Sequence, residues 1–502
     1  MTDGTALPDA ARAAARTPIA KVVGFLICVE LASGVLQGYY TPLFSDIARH
    51  LSIRDADVNW FEAAQLIVSA LVVPLLARLG DLVGHRKVLL LSTVVTAVAS
   101  WGVALAPSFG LFLVAWAVQG FYVVWLPMEV AIIHRRTRGD ERRVRGAAGL
   151  LVAGLELGVI AGALTSGALA ESLGMTGLLA LPAVVVTLAL VAIWFGVEET
   201  PVLARGAVDW RGFRLVTLAL GLVMAGLVML RVLGPASPWP WVVVAAGAVA
   251  FVPFARVELA HPEPLVDLRI LRARGQWPVQ ATAFLFGVSV LGAQIPLSTF
   301  ARTDPGVTGY GLGASAARVS VIIGGYVLSL AVGALLLHLL ADRVGTRVAM
   351  VVAAVLVAVG YLLFLPFHDT LAHTLTNMVV AGLGSGALVA GLPAAAAAQA
   401  PPTHTGLTTG MTNTTKTIGG AFASSVFAIA LASTGTVDAE ATGHASLSGY
   451  LAVWAICGLT ALVAAVFLAV VRPPSPRTRA TATTATAATT ATTSGAAGTM
   501  EA

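Results

Sequence analysis

The stretch LARLGDLVGHRKVLLL, Leu76 to Leu91, decides how this chain is read. It places Arg78, Asp81, His85, Arg86 and Lys87 within ten positions, between two long apolar runs, in a chain that is only 11% charged. The composition rules out an ordinary turn in a water-soluble domain. Of the 502 residues 57% are hydrophobic, mean hydropathy is +0.87, and the excess falls in blocks of about twenty residues. Such blocks are membrane-spanning helices. The charged stretch is then the connection between two of them.

Fourteen blocks are expected, over residues 19–42, 59–79, 87–106, 108–133, 147–170, 175–197, 213–233, 239–256, 277–301, 318–341, 348–368, 374–398, 413–433 and 449–471. They are continuous runs of Leu, Val and Ala, not the alternating ten-residue segments of a barrel, so the fold class is an all-α integral membrane protein. The segment MTDGTALPDAARAAARTPIAK has no cleavable signal pattern, and the first helix is expected to be retained. Cys28 and Cys457 lie in separate spans and give neither a disulfide framework nor metal-ligand spacing.

The net charge of +5 is explained by topology. With both termini cytoplasmic, only Arg49, Arg54, Arg231, Arg302 and Arg318 of the 30 Lys and Arg fall outside, and the rest, Lys416 among them, fall inside. HRRTRGDERRVR (134–145) then reads as a solvated topogenic loop, with an anion or lipid site as the alternative. Trp60, Trp125, Trp239, Trp241 and Trp277 lie near span ends, as in an interfacial belt. PLFSDIARHL puts Leu43, Phe44, Ile47 and Leu51 on one stripe, expected to lie along the outer interface.

The chain repeats itself. Asp81-x-x-Gly84-x-Arg86 after the second span returns as Asp342-x-x-Gly345-x-Arg347 after the tenth. Two six-helix bundles with two helices inserted between them account for this offset. The expected divisions are a cytoplasmic tail at 1–18, a first bundle at 19–200, the insertion and its linkers at 201–275, a second bundle at 276–472, and a low-complexity disordered tail at 473–502. In the turn, Gly80 and Gly84 would supply positive φ, Asp81 would accept from backbone N–H groups or an Arg, and Arg86 and Lys87 would hold the loop at the inner face. Its recurrence suggests a latch made in one conformation and broken in another; the plain alternative is a charged turn.

With these motifs the chain resembles the major facilitator superfamily, and within it the fourteen-helix drug:proton antiporter branch. GDLVGHRK is similar to the family's motif between helices 2 and 3. VEETPVLARGAVDWRGF and HPEPLVDLRILRARGQW resemble the connections flanking the extra helices, and GLTTGMTNTTKTIGGAFASSV resembles the thirteenth helix. Four positions depart from the pattern: Ala77 replaces a Gly, Trp116 stands where helix 4 carries Arg, Val159 replaces the Pro of the helix 5 glycine ladder Gly154, Gly158, Gly162, Gly167, and Glu30 stands where the first helix of the branch usually carries Asp. The resemblance implies a secondary active transporter working by alternating access.

Acids inside spans are costly and face a cavity or a partner. Glu30 and Glu156 each fall about 14–16 Å deep by helix rise. Glu30 is the first choice for proton coupling, because helix 1 lines the cavity in the resembling fold. Glu156 either binds protons or ties two helices together. Glu129 lies close enough to the inner loop to snorkel, with Pro127 beside it as a bend. Gln37, Tyr39, Tyr40, Trp116, Gln119, Phe121 and Gln294 are expected to form an apolar, aromatic cavity with sparse polar contacts, suited to an amphipathic organic molecule.

The expectation is proton-coupled export of such compounds at the cell membrane by a monomer that needs no cofactor or metal and binds no nucleic acid. Uptake, uniport or lipid movement on the same fold is the alternative. A membrane-embedded enzyme is the remote one, since no HxxxD-like cluster or Walker loop is present.

Overall fold

In hydrocarbon no water satisfies a free backbone N–H or C=O, so an apolar chain closes its own hydrogen bonds as helices. The computed structural model follows this rule throughout. It describes residues 19–137, 140–199, 208–234, 236–261, 264, 266–273, 275–291, 293–399, 405–433 and 444–470, which leaves both expected tails outside the described residues. Among those residues every regular element is helical, and thirteen helices are long and apolar enough to cross a membrane. The fourteenth span is Thr346–Leu362, apolar but only 17 residues long.

The first half comprises α1 (Ile19–Gly38), the short α2 (Phe44–His50), α3 (Asn59–Val83), α4 (His85–Leu105), α5 (Phe109–Gln119), α6 (Trp125–Arg136), α7 (Glu141–Leu169) and α8 (Met175–Gly196). The inserted hairpin is α9 (Trp210–Leu233) and α10 (Pro238–Ala260), followed by the single turn α11 (Leu268–Leu271). The second half comprises α12 (Trp277–Val290), α13 (Gln294–Arg302), the turn α14 (Pro305–Thr308), α15 (Ala316–Val344), α16 (Thr346–Leu362), α17 (Leu371–Ala398), α18 (Thr405–Ser433) and α19 (Leu447–Val470).

Packing repeats between the halves. The α1–α7 pair matches α12–α18, and α4–α8 matches α16–α19. Glycines bring the first two pairs to backbone contact. A Cβ on Gly34 or Gly158 would collide with the carbonyls of Leu155 and Leu31, and one on Gly287 or Gly419 with those of Lys416 and Phe284. Small residues permit such close packing where no hydrophobic force drives helices together. Val159 keeps the N–H that a proline would lack, and α7 runs unbroken to Leu169.

Each half has its own apolar core, and the halves meet along α3–α18 and α7–α15. Helix α9 touches both α3 and α18, where Leu227 packs with Trp60, Ala63 and Ala428. The inserted hairpin therefore lies beside one seam. The bundle end carrying the 39–58 connection is called distal below, and the end carrying the 84 and 345 turns proximal.

Two expectations about the membrane interface change. The stripe Leu43, Phe44 and Ile47 turns inward, each no more than 3% exposed, because α2 folds back from α1 onto the first half's core. Trp125 and Trp60 are also buried; Trp239, Trp241 and Trp277 remain exposed at helix starts.

Candidate functional site

At the proximal end Gly84 caps α3 with φ +111° and Gly345 caps α15 with φ +84°, a region L side chains avoid. Gly80 does not share this role. It lies inside α3, where a Cβ would fall 2.9 Å from the Met128 sulfur, so its small size serves packing. Arg86 is more than a topogenic charge: its guanidinium donates to the Trp194 carbonyl at 2.9 Å and lies over that ring. Arg347 does the same job in the other half, donating to Leu468 O at 2.7 Å and to Ala469 O. Each Gly-x-Arg thus caps the last turn of its own half's final helix, whose carbonyls have no intrahelical donor.

The aspartates are not equivalent. Asp81 accepts from Arg135 at 3.0 Å, with the His85 ring at 3.4 Å. Glu199 caps α4 by accepting from the Arg86 N–H at 3.2 Å, and Arg136 pairs with Glu198 at 2.9 Å. Asp342 is exposed and closes no ion pair among the described residues, and Lys87 is exposed as well. The expected latch residues thus form an intra-half network in the first bundle, and among the described residues the second has no matching aspartate contact.

Helix 4 breaks where helix 2 staples it. Residues Gly120–Val124 form a 3-10 turn between α5 and α6. The Ser69 hydroxyl lies 2.9 Å from Gly120 O and 2.8 Å from Gln65 O, and a Cβ at Gly120 would come 2.6 Å from Gln65 O. The expected bend at Pro127 lies upstream instead; Pro127 occupies the first turn of α6, where its missing N–H costs nothing.

One turn along α6, Glu129 is completely buried and does not snorkel. Its carboxyl interacts with that of Glu30 on α1, also completely buried, and all four oxygens lack a hydrogen-bond donor. A further acid, Glu62 on α3, lies with Glu30 within electrostatic reach of the Tyr122 hydroxyl. The sequence reading passed over Glu62 because it stands three residues into its span; an acid on a helix that continues apolar for five turns was the available signal.

Of the expected cavity residues, Tyr40, Trp116 and Gln119 instead pack inside the first half. Tyr40 and Trp116 rings lie 4.6 Å apart within a cluster that includes Phe44, Phe61 and Phe112, and Gln119 donates to the Tyr40 hydroxyl at 3.1 Å and to Ser100 at 3.0 Å. Trp116 thus fills with aromatic surface the place where the resemblance implies Arg. Tyr39 is buried with its hydroxyl unpartnered, Phe121 packs on the same core, and Gln37 is exposed beside Ser33. Gln294 begins α13, next to the break that divides the ninth span.

Lys416, read as a cytoplasmic charge, lies inside the membrane. It stands eleven residues into α18, about 16 Å along the helix, and interacts with Glu156 of α7 across the interface between halves. The helix begins at Thr405 and its apolar span at Gly410, upstream of the expected 413, because Thr408, Thr412 and Thr415 satisfy polar groups on the helix and on Gln280.

At the distal end the halves are tied by polar contacts. Arg302 donates to Asp46 at 2.6 Å, Ser298 to Thr41 O, Ser320 to Ala163 O at 2.7 Å, and His444 meets Asp55 at 2.8 Å. Among the described residues no cluster of three or more His, Cys, Asp or Glu is placed to hold a metal ion.

Comparison with known proteins agrees with this architecture. The sequence profile of the Major Facilitator Superfamily matches residues 26–311 and 279–497. The chain is 26% identical over 309 residues to a uridine/deoxyuridine transporter of Lactococcus lactis subsp. cremoris, covering 59% of this chain and 63% of that one. It is 25% identical over 330 residues to a lincomycin resistance protein of Streptomyces lincolnensis, covering 64% and 65%. Neither match reaches two-thirds of the relative's length. The crystal structure of an auto-inhibited POT family peptide transporter superposes with a TM-score of 0.65 at 15% identity, over 91% of this chain and 98% of that one, which speaks to the fold alone.

Proposed function

The chain belongs to the major facilitator superfamily, and from that premise we propose that it exports small amphipathic organic compounds in exchange for protons, as a member of the fourteen-helix drug:proton antiporter branch. It is a multi-pass membrane transporter, not an enzyme. The observation that carries the coupling is the Glu30–Glu129 pair. Two facing carboxyls with no other donor can share one proton through an O–H···O bond. Access to water supplies the donors that let that proton leave, so proton occupancy follows conformation. The proton gradient is then the energy source.

The distribution of Lys and Arg assigns the proximal end to the cytoplasm, with both termini. The distal ties then hold the outer end shut, and rocking of the halves alternates access. The resistance protein among the relatives supports export.

The test is proteoliposomes carrying a pH gradient, challenged with cationic, neutral and anionic amphiphiles. Wild type is expected to collapse the gradient with some of them, and Glu30→Gln and Glu129→Gln are each expected to abolish the collapse. Substrate movement without proton movement refutes coupling.

A second reading, uptake or uniport on the same fold, is favoured by Trp116 and Val159 at the two departing positions and by the uridine/deoxyuridine transporter among the relatives. It predicts compound flux that ignores the pH gradient.

A further inference from the structure

The proximal end of the inserted hairpin sorts its charges by sign. Its three described acids are held by backbone N–H groups. Asp209, 5% exposed, accepts from Arg211 N at 3.0 Å and Gly212 N at 2.8 Å, and Asp267 accepts from Arg269 N at 3.0 Å. Glu258, 1% exposed, accepts from Val266 N at 3.0 Å, and a Cβ on Gly212 would fall 2.3 Å from its other oxygen. These contacts lock the start of α9, the end of α10 and the segment leading into α11 together.

Five arginines are left on the outside. Arg211, Arg214, Arg256, Arg269 and Arg272 are all exposed, and none closes an ion pair within 4.0 Å among the described residues. Arg211 adjoins Gly212 and Arg256 lies two residues before Glu258, so both helices bring a guanidinium to the same contact. Arg269 is tied to the end of α10 by donating to Leu259 O at 2.6 Å, which brings the basic segment after the hairpin alongside. Arg214 Nε donates to Trp210 O at 3.1 Å, and both it and Arg269 keep further N–H groups to give. Crowded like charges repel, and a phosphate shared by several guanidinium groups offsets that repulsion.

The surroundings say which phosphate. Helices α9 and α10 are the two least buried of the thirteen long spans, so hydrocarbon covers most of both. Trp210, 56% exposed beside the arginines, is placed as an interfacial ring. An anion that carries acyl chains meets all three features. We infer that the proximal end of the inserted hairpin binds an anionic phospholipid, its phosphate held by arginines of α9, α10 and the segment after them and its chains lying along the two helices. The inference goes beyond the transport reading and requires neither its direction nor its coupling. With the proximal end in the cytoplasm, the lipid belongs to the inner leaflet, where anionic lipids gather. The hairpin meets the bundle around Leu227, in the distal half of α9, and the lipid anchors its opposite end.

The experiment is native mass spectrometry of the purified full-length chain in neutral detergent, which resolves each bound lipid and its affinity. The probes are dioleoylphosphatidylglycerol, dioleoylphosphatidylcholine and glycerol phosphate, the last carrying the phosphate without the chains. Phosphatidylglycerol is expected to bind at least about tenfold more tightly than either. One basic side chain facing an anionic lipid is worth about fivefold, so Arg211→Gln, Arg256→Gln and Arg272→Gln together should weaken that binding about a hundredfold. Lysine at the same three positions keeps the charge and should keep most of the affinity, which separates lost recognition from lost folding.

The control removes three charges from another loop on the same side, by Arg138→Gln, Arg142→Gln and Arg143→Gln, and should change the affinity by less than about threefold. An equal loss in the hairpin and loop variants would reveal diffuse attraction to a basic surface and overturn the inference. Equal binding of phosphatidylcholine overturns it as well. Glycerol phosphate binding as tightly as phosphatidylglycerol would make the patch a site for soluble anions, and the lipid assignment would fall.

Discussion

Asp46→Asn is expected to unlock the distal end. Asp46 on α2 accepts from Arg302 of α13 at 2.6 Å, and the two side chains are 18% and 16% exposed, so the pair is shielded from most solvent screening. A hydrogen bond between charged groups is worth about 1.5–3 kcal/mol. Arg302 keeps a second acceptor, Ala314 O at 3.1 Å, so the loss falls toward the lower end, about 1.5–2 kcal/mol. The partner Arg49 adds little, being 72% exposed. The distally open population should therefore rise about tenfold to thirtyfold.

Ser320, which is 1% exposed and donates across the same interface, reports that opening. With Cys28 and Cys457 replaced by Ala, the maleimide labelling rate of Ser320→Cys should rise by that factor. Asp369→Asn, which removes an exposed distal acid within its own half, should leave the rate unchanged. A labelling rate within about twofold of the parent would show that Asp46–Arg302 does not bias the states, and the distal-tie reasoning would fail.

The distal contact should also respond to pH. The hydrogen bond that His444 donates to Asp55 raises the His444 pKa, so its stabilisation is complete below the free value near 6.5 and is lost as pH rises through the raised one. Labelling of Ser320→Cys, taken relative to a free thiol at each pH because the thiolate is the reacting form, should speed up over that window, and His444→Gln should flatten this relative profile. Gly158→Val should lower thermal stability by about 1–3 kcal/mol or prevent assembly, since its Cβ meets the Leu31 carbonyl, while Gly24→Ala should be neutral, having nothing within 4 Å. Asp81→Asn should slow transport by weakening the contact that Arg135 makes with α3, whereas Asp342→Asn should leave it within about twofold, as liposome flux would record.

The spans, the inserted hairpin and the repeat were legible because each is a local property: twenty apolar residues in a row, or the same Asp, Gly and Arg at the same spacing. Glu30 was legible for the same reason, as an acid without a neighbour in its own helix to satisfy it. The partner was not. Glu129 lies 99 residues away, and its one-turn distance from a basic loop suggested snorkelling until the 3-10 break carried α6 against α1. Trp116 and Gln119 looked like cavity walls because polarity and aromaticity in a span suit both a pocket and a core; only packing against Phe61 and Phe112 separates the two.

The sequence by itself determined that this chain crosses the membrane as helices in two related halves, because hydrocarbon forces each apolar segment to satisfy its backbone alone. Only the tertiary structure decided which charges meet. Lys416 showed this most plainly: a lysine three residues after an expected span start reads as a cytoplasmic anchor. It became an intramembrane charge once threonines extended α18 by two turns and the interface between halves brought Glu156 opposite it. Electrostatic partnership is a distance in space, and no pattern along one helix contains it.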